Sequence, residues 1–328
     1  VRAVNCKFRV SDPNNSNAVD SSDDFEIRPI LNFSAPTAAD KWTIGTSAGN
    51  NIVSSITGVV PLVRIEYSKD NGSNYTYTIA ASVAGNSSPY EWNIPVNQDI
   101  ITDHTVGSEQ KARIKVTDTS LGAVYGVSGL FMVKGTITVT EPNSSTAALK
   151  VAEAHDIAWT TPCTGAANMG NVKIQFRKIN IDAWTDVVTV AFNSSPYASW
   201  APPIDGITGN ADSAQIRITQ LSNSEVYDDS DGFEIEGKID LIQPTIEGIV
   251  WAVGEPKDII WKPQGTFSYV KIDYSTNAFI DENEVIVEAA SYPNSAHNVN
   301  GIYPWTVPDE IGNDLKVRVT ATNDPDVK

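Results

Sequence analysis

Two clusters of aspartate carry the side chains in this sequence that are best suited to hold a metal ion. They are Asp20, Asp23 and Asp24 in one cluster, and Asp228, Asp229 and Asp231 in the other. Carboxylate oxygens crowded on one loop are ligands that Ca²⁺ prefers, so calcium is the one cofactor for which the chain offers candidates. Closely spaced Asp and Ser side chains also form hydrogen-bonded turns without any ion. We favour the turn and expect no cofactor other than calcium.

Histidine is too scattered in this chain to build a catalytic site or a zinc site. His104, His155 and His297 stand at unrelated positions, and strand topology gives no reason for them to converge. The sequence also lacks a glycine-rich phosphate loop, a nucleophile elbow and zinc-type Cys/His spacing. We therefore predict no catalytic residues and no enzymatic activity, and we assign each histidine to the surface or to a turn.

Seven Asn-x-Ser/Thr sequons offer asparagine side chains for N-linked glycosylation. They begin at Asn14, Asn32, Asn71, Asn74, Asn86, Asn143 and Asn193. The longer sequence Asn-Ser-Ser-Pro-Tyr occurs twice, from Asn86 and from Asn193. A chain rich in Ser and Asn produces sequons by chance, but their place in predicted turns leaves room for glycans.

The charge balance limits the partners of the protein. The chain has 40 acidic and 23 basic residues, which give a formal net charge of −17. An acidic surface repels nucleic acid and anionic lipid, whereas it is compatible with neutral polysaccharide. No run of about 18 apolar residues is present to span a membrane. The two cysteines, Cys6 and Cys163, lie at non-equivalent positions, so we assign them structural roles, with an intermolecular link through Cys163 as the alternative.

The strands that must position these side chains recur along the sequence as similar motifs. An apolar–basic–apolar triplet recurs as Phe8-Arg9-Val10, Ile114-Lys115-Val116, Ile216-Arg217-Ile218 and Val317-Arg318-Val319. The copies are spaced by 106, 102 and 101 residues, and a fixed period of this kind sets the architecture. We expect residues 1–28 to hold the last two strands of a preceding repeat. Repeats 1, 2 and 3 then occupy residues 29–134, 135–236 and 237–328.

Each repeat contains about seven short stretches with strand character. Val63-Arg64-Ile65-Glu66-Tyr67 and its counterparts alternate apolar and polar residues, which places one face of the strand in a core. An aromatic segment that ends in proline follows, Tyr-x-Trp-x-x-Pro in repeats 1 and 3 and Tyr-x-x-Trp-x-Pro in repeat 2. Its tryptophan, Trp92, Trp200 or Trp305, is predicted to anchor that core. Short strands separated by turn residues indicate an all-β fold of tandem immunoglobulin- or fibronectin-like antiparallel β-sandwiches. Linkers of one or two residues predict a semi-rigid rod.

The order of motifs within a repeat resembles a known family. Repeat 3 carries the motifs most fully, through Trp251, Gly254, Trp261, Tyr274, Trp305, Pro308 and Val319. This order is similar to the Kre9/Knh1-type Ig-like repeat of secreted and cell-surface proteins, including large surface-layer-like proteins. The resemblance implies a secreted β-sandwich module of cell-wall, surface-layer or adhesive proteins, and it supplies no catalytic residues.

The function that we predict is structural. We expect a non-enzymatic extracellular protein, a segment of a repeat array that builds a surface layer, sheath, filament or stalk. Its partners would be copies of itself or the rest of a longer array, together with cell-wall or surface glycans. The alternatives are a carbohydrate- or receptor-binding adhesin, and spacer modules of a larger secreted enzyme.

The boundaries of the chain do not coincide with those of the repeats. Residues 1–28 lack the earlier strands of their repeat, and repeat 3 stops before its Phe-x-Ile strand. Two strands alone are unstable in water, and a sandwich without an edge strand exposes unpaired backbone. We expect the chain to be a window of a longer array, with completion by strand exchange between chains as the alternative.

Overall fold

The computed structural model describes residues 3–102, 111–162, 169–208, 214–245, 249–280, 285–310 and 315–322. His104 and Cys163 lie outside these residues. Across the described part of the chain, regular structure consists of β-strands and a 3₁₀ turn, Phe192–Ser194. The prediction of an all-β protein is therefore confirmed. No helix in the described residues is long and apolar enough to cross a membrane.

Residues 3–27 form four strands, whereas the sequence predicts two. They are β1 (Ala3–Cys6), β2 (Arg9–Asp12), β3 (Asn15–Ser21) and β4 (Phe25–Ile27). β2 pairs with β3, and β1 pairs with β4, both antiparallel. The sequence does not reveal β3 because its residues are almost all polar, so no alternation of apolar side chains marks it.

The side chains of residues 3–27 are less buried than the alternation predicts. Cys6, Phe8 and Val10 stand at every second position of the sequence, and this spacing predicts that all three face a core. In the structure, however, Cys6 is half-buried, and Phe8 and Val10 are 70% and 74% exposed. That prediction is wrong for this chain. The physical reason is that β1–β4 form two separate two-stranded sheets, and no described strand lies over them as a second layer.

Repeat 1 contains two facing antiparallel sheets. Its described strands are β5 (Ile30–Ala35), β6 (Lys41–Thr43), β7 (Asn51–Thr57), β8 (Leu62–Ser68), β9 (Tyr77–Ala84), β10 (Tyr90–Glu91), β11 (Arg113–Asp118), β12 (Tyr125–Val127) and β13 (Met132–Lys134). One sheet has the order β10-β7-β5 and the other β12-β11-β8-β9. A short parallel pair joins β6 to β13.

Repeat 2 has the same arrangement. Its described strands are β14 (Thr138–Glu141), β15 (Leu149–Lys150), β16 (His155–Thr160), β17 (Asn171–Arg177), β18 (Thr185–Ala191), β19 (Tyr197–Trp200), β20 (Gln215–Gln220), β21 (Tyr227–Asp229) and β22 (Ile235–Glu236). The sheets have the orders β14-β16-β19 and β18-β17-β20-β21, and β15 pairs with β22 in parallel.

Repeat 3 repeats both sheets with fewer strands. Its described strands are β23 (Lys238–Gln243), β24 (Pro256–Gln264), β25 (Tyr269–Ser275), β26 (Val285–Pro293), β27 (Gly301–Thr306) and β28 (Lys316–Ala321). The sheets have the orders β23-β24-β27 and β26-β25-β28. Among the described residues, repeat 3 has no strand that corresponds to β6, β12 or β13.

A tryptophan lies between the two sheets of every repeat. Trp92, Trp200 and Trp305 are 3%, 5% and 6% exposed, which confirms the predicted core anchors. Each ring packs on the aromatic residue near the end of the central strand. The ring centroids are 5.2 Å apart for Tyr67–Trp92, 5.5 Å for Phe176–Trp200 and 5.8 Å for Tyr274–Trp305.

A residue in the left-handed backbone conformation ends the short segment that precedes β7, β16 or β24 in its repeat. Gly45 and Gly254 have φ values of +74° and +75°. Repeat 2 departs from the glycine pattern, but Ala152 adopts the same conformation with φ of +60°. Its N–H donates to the Pro202 carbonyl at 3.0 Å, as the Gly45 N–H does to the Ile94 carbonyl at 2.8 Å. The backbone repeats even where the sequence motif is lost.

Candidate functional site

The second aspartate cluster lies in and just after β21, and its carboxylates serve three different partners. Asp228 Oδ2 accepts a hydrogen bond from a backbone N–H of β14 at 2.8 Å. Asp229 receives two hydrogen bonds from the Arg217 guanidinium at 2.6 and 2.7 Å. Asp231 Oδ2 accepts from Ser144 Oγ at 3.1 Å. The three side chains therefore tie β21 and its turn to neighbouring segments.

The first cluster, in β3 and the turn after it, is similarly divided. Asp20 Oδ1 accepts from the next backbone N–H at 2.8 Å, and Asp24 forms an ion pair with Lys7 at 3.3 Å. The Asp23 carbonyl accepts from Ser22 Oγ at 2.9 Å. Within the described residues, no group of three or more His, Cys, Asp or Glu side chains is placed to hold a metal ion. Calcium binding stays a prediction.

A serine recurs at the start of the turn that precedes the last strand, within or beside each aspartate cluster and at the equivalent position of repeat 1. Ser22, Ser128 and Ser230 each accept a hydrogen bond from the first residue of the repeated triplet, with N···Oγ distances of 2.9, 2.9 and 3.0 Å. Each hydroxyl donates in turn to the carbonyl of the residue that follows it, at 2.9, 2.8 and 2.7 Å. We call these three residues the serine clips. They favour the turn interpretation of the aspartate clusters.

The sequons differ in how accessible their asparagine side chains are. Six of the seven asparagines are exposed, and Asn143 is half-buried. Asn143 Nδ2, the atom that would carry a glycan, donates to the Thr140 carbonyl at 2.8 Å and to Glu141 Oε1 at 2.9 Å. Asn74 Nδ2 donates to Asp70 at 2.7 Å. The other five sequons, at Asn14, Asn32, Asn71, Asn86 and Asn193, suit modification better.

The repeated Asn-Ser-Ser-Pro-Tyr sequence has a structural role. Its second serine accepts a hydrogen bond from the backbone of the neighbouring strand in both copies. The distances are 3.0 Å from the Ser54 N–H to Ser88 Oγ and 2.9 Å from the Trp159 N–H to Ser195 Oγ. The recurrence of this motif therefore follows from the fold.

The two described histidines contact backbone, His155 at the start of β16 and His297 in a turn. His155 Nε2 lies 3.2 Å from the Lys150 carbonyl. His297 Nδ1 accepts a hydrogen bond from the Gly265 N–H at 2.9 Å.

The basic residue at the centre of the triplet lies over an aromatic ring in every repeat. The distances to the ring centroids are 4.9 Å for Lys115–Tyr125, 4.5 Å for Arg217–Trp184 and for Arg217–Tyr227, and 4.3 Å for Arg318–Phe279. Such cation–π contacts contribute about 0.5–1 kcal/mol each at exposed sites. Tyr125 and Tyr227 are 54% and 50% exposed, so the outer sheet face of repeats 1 and 2 presents aromatic surface.

The contact that sequence reasoning missed lies where repeats 1 and 2 meet. Ile101 of repeat 1 and Met169 of repeat 2 are fully buried and close over Gly135. A methyl group added to Gly135 would lie 3.0 Å from Ile101 Cδ1 and 2.5 Å from Met169 Sδ. Glycine permits this approach because it has no Cβ. The buried apolar residues of repeats 1 and 2 form one continuous cluster across this joint.

The joint between repeats 2 and 3 has the same construction. Ile207 lies against two glycines of repeat 3, and methyl groups added to Gly265 and Gly237 would lie 2.7 and 3.1 Å from Ile207 Cδ1. Phe267 takes the place of the methionine, and its Cε1 would lie 3.2 Å from the methyl group on Gly237. Ile207 packs against the cluster of repeats 1 and 2 and also against the separate cluster of repeat 3.

The two isoleucines are equivalent in sequence and in backbone contacts. Each is followed by a threonine whose N–H donates to a carbonyl in the last strand of its own repeat. The distances are 3.1 Å from Thr102 to Val133 and 3.0 Å from Thr208 to Ile235. We call Ile101 and Ile207 the joint isoleucines. The Ile-Thr pair ahead of the triplet is the sequence signal that could have located them.

Polar contacts add to the first joint. Glu225, in the turn between β20 and β21, accepts hydrogen bonds from Lys41 and Lys134 of repeat 1. Asn223 Nδ2 lies 3.2 Å from Met132 Sδ across the same joint. The hydrogen bond from Lys41, followed by that from Lys134, holds the pKa of Glu225 below its usual value. At the second joint, Lys238 and Glu153 are 3.6 Å apart.

Comparison with known proteins leaves the family open. No protein-family model and no curated protein matches the sequence significantly. Three N-terminal domains of the bacteriophage RB49 highly immunogenic outer capsid protein (Hoc) are 12% identical, over 80% of this chain and 78% of that chain, with a TM-score of 0.21. The FN1–FN3 domains of chicken CNTN1 are 10% identical, over 90% and 93%, with a TM-score of 0.25.

These TM-scores are too low to carry an argument about function. The assignment to immunoglobulin- or fibronectin-like β-sandwiches rests on the paired sheets of this chain. The narrower resemblance to the Kre9/Knh1-type repeat stays a prediction.

The serine clip predicts the effect of Ser230→Ala. Ser230 and its partner Ile216 are 4% and 0% exposed, so the substitution leaves a buried N–H without its acceptor. The free energy of unfolding of repeat 2 should fall by about 1–3 kcal/mol in urea denaturation. Ser199→Ala, at an exposed position of β19, is the matched control and should change it by less than about 0.5 kcal/mol. Equal effects of the two substitutions would contradict the clip.

The lowered pKa of Glu225 predicts an acid-sensitive first joint. A carboxylate with a depressed pKa stabilises the folded state above its unfolded pKa, near 4.3, and loses this contribution as the pH falls through the folded value. The groups are largely exposed, so the contribution is roughly 0.2–1 kcal/mol. Glu225→Gln should lower stability at pH 7 by that amount and not at pH 3, as measured by paired denaturation curves. An equal loss at both pH values would show that the ion pairs contribute nothing.

The joint isoleucines predict a local effect of Ile207→Asp. Burial of an isoleucine contributes about 1.5–3 kcal/mol when complete, and Ile207 is half-buried. Loss of about 1.4 kcal/mol should accelerate amide exchange around Gly237 and Gly265 about tenfold, as read by hydrogen–deuterium exchange. Ile204→Asp, in the same loop and 41% exposed, is the control. Unchanged exchange in Ile207→Asp would exclude the joint as a stabilising contact.

Proposed function

We propose that this chain is a non-enzymatic extracellular structural protein, a segment of a repeat array that builds a surface layer, sheath, filament or stalk. Its repeats act as stiff units joined end to end. Its partners are copies of itself or the rest of a longer array, with cell-wall or surface glycans at its exposed faces.

The observation that carries this proposal is the recurrence of the joint isoleucines. Ile101 and Ile207 contact glycine-backed surfaces of the next repeat at the joint between repeats 1 and 2 and at the joint between repeats 2 and 3. Freely jointed domains need no such contact, because a flexible linker leaves neighbouring domains independent. A chain that builds the same apolar joint twice is suited to hold neighbouring repeats at a set angle, as spanning and covering require.

The surface chemistry supports a place outside the cell. A net charge of −17 keeps a concentrated repeat protein soluble and disfavours nucleic acid. The exposed sequons give room for glycans, which a secreted protein can carry.

A second candidate function, carbohydrate or receptor adhesion, has one observation in its favour. Tyr125 and Tyr227 present half-exposed rings on the outer sheet face, each held by the basic residue of the triplet. Aromatic rings of this kind can stack on sugars. The patch lies on a sheet face, whereas an adhesive tip would be expected at a loop end, so we rank this candidate second. Glycan-array binding that is lost in Tyr227→Ala would favour it.

The proposal predicts what imaging of native cells and culture supernatant will show. An antibody raised against this chain should label a continuous coat or fibre at the cell surface by immuno-electron microscopy. The pre-immune serum is the control. Labelling confined to dispersed single molecules in the supernatant would contradict the structural role.

A further inference from the structure

One strand position carries a tryptophan in repeats 2 and 3 but a serine in repeat 1. The register of the strand pairs β14–β16, β23–β24 and β5–β7 makes Trp159, Trp261 and Ser54 equivalent. Ser54 and Trp159 also share a backbone contact, because the N–H of each donates to the second serine of the Asn-Ser-Ser-Pro-Tyr motif. The repeats therefore differ at this position in the side chain and not in the backbone.

In repeats 2 and 3, the indole ring is enclosed by its own repeat. Trp159 and Trp261 are 2% and 0% exposed. The Trp159 Nε1–H donates to the Phe192 carbonyl at 2.9 Å, and the two rings pack edge to face with their centroids 6.4 Å apart. The Trp261 Nε1–H donates to Asn294 Oδ1 at 2.8 Å, and its ring packs in the same way on Tyr292 at 6.1 Å. Each indole is thus buried beside a second ring and with an acceptor for its N–H.

Repeat 1 has neither of these two rings. Gly85 is the counterpart of Phe192, because the N–H of each donates at 2.9 Å to the carbonyl of the residue before the central strand. Ser54 and Gly85 therefore stand where repeat 2 has a tryptophan and a phenylalanine. A cavity of about 550 Å³, lined by both residues, lies at this place. It results from two small residues within repeat 1 itself.

The side chain opposite Ser54 does not close the cavity. Phe33 pairs with Ser54 across the strands, where repeats 2 and 3 have Val139 and Leu241. The Phe33 ring is larger than either counterpart and packs against the buried core. The cavity remains in spite of this ring, and its described walls do not include Phe33. The missing indole is therefore not replaced from within the repeat.

The walls of the cavity have the chemistry of a site for a small neutral ligand. Ile56 and Val60 supply apolar surface, and Ser54 and Ser88 supply hydroxyl groups. Val59, which also lines the cavity, is 57% exposed, so the cavity is accessible from solvent. No charged side chain is among its described walls, which favours a neutral ring over an ion. Small-molecule pockets have volumes of about 300–1,000 Å³ and mostly apolar walls with a few polar groups.

We propose that repeat 1 binds an indole ring from outside the chain in this cavity. The bound ring would take the place that the Trp159 and Trp261 side chains have in their own repeats. Its N–H would donate to the Gly85 carbonyl, the counterpart of the Phe192 carbonyl. Buried aromatic rings contribute large apolar surface and bind their N–H to an acceptor, which is the arrangement in repeat 2. This binding activity goes beyond the structural role proposed above and does not depend on it.

A ¹⁹F NMR titration of the full chain with 5-fluoroindole tests the proposal. The dissociation constant should lie between about 0.1 and 10 mM, as expected for a ligand of about ten non-hydrogen atoms. The analogue 5-fluoro-1-methylindole has no N–H to donate and should bind about 3–10-fold more weakly. In the amide spectrum of the protein, the resonances of Gly58 and Gly85 should shift on binding, since both residues line the cavity.

Two variants alter the cavity in different ways. Ser54→Trp supplies the indole from within the repeat, as in repeat 2, and should abolish binding. Val59→Asp charges the wall at an exposed position and should weaken binding at least about tenfold, and it does not require the core to accommodate a larger residue. Val299→Asp, at a turn position of repeat 3 that is 54% exposed, is the matched control and should bind like the wild type. Circular dichroism verifies the fold of each variant.

Competition with N-acetyl-tryptophanamide distinguishes two sources of the same ring. Displacement of 5-fluoroindole identifies the tryptophan side chain of a partner protein as the ligand, and no displacement identifies a free indole compound. Absence of 5-fluoroindole binding at 10 mM would overturn the inference. So would binding that is equal in the wild type, Ser54→Trp and Val59→Asp, because the ring would then bind outside the cavity.

Discussion

The apolar contact between a joint isoleucine and the glycine-backed surface of the next repeat is the constraint on which the larger structure depends. A sandwich of about 100 residues folds around its own core, and nothing in that core dictates where its neighbour lies. Ile101 and Ile207 fix the position of the neighbouring repeat. Each isoleucine side chain packs directly on Gly135, or on Gly237 and Gly265, where a Cβ on the glycine would collide with it. A protein built this way transmits orientation from one repeat to the next, as stacked repeats in general do.

The joint depends in turn on the internal order of each repeat. The serine clips hold the triplet strand against the turn that precedes the last strand. The backbone N–H of the threonine after each joint isoleucine donates to the last strand, which anchors the backbone beside that isoleucine. The aspartates that look like metal ligands in the sequence belong to the same hydrogen-bonded framework. Asp229, for example, holds Arg217 over the rings of Trp184 and Tyr227. The polar side chains that recur in this chain therefore form hydrogen bonds and ion pairs that connect neighbouring strands.

Much of the fold could be predicted from the sequence, and less of the site. The alternation in the strand around Ile65 and the burial of Trp92, Trp200 and Trp305 follow from local pattern, which a sequence displays directly. β3 could not be predicted, because a strand made of polar residues shows no alternation of apolar and polar side chains. The contacts of the joint isoleucines could not be predicted, because their partners, such as Gly135 and Met169, are distant in sequence. These residues come together only where two folded repeats meet. Ala152 shows the converse, since its backbone keeps a conformation that its sequence no longer signals.

Small-angle X-ray scattering of the full chain at low concentration tests most directly whether the joints fix the repeats. If the joint isoleucines hold neighbouring repeats in place, one arrangement of the three repeats should reproduce the whole scattering profile. Ile207→Asp should then require a distribution of angles at the second joint. A wild-type profile that fits only an ensemble of independently moving repeats would contradict the account.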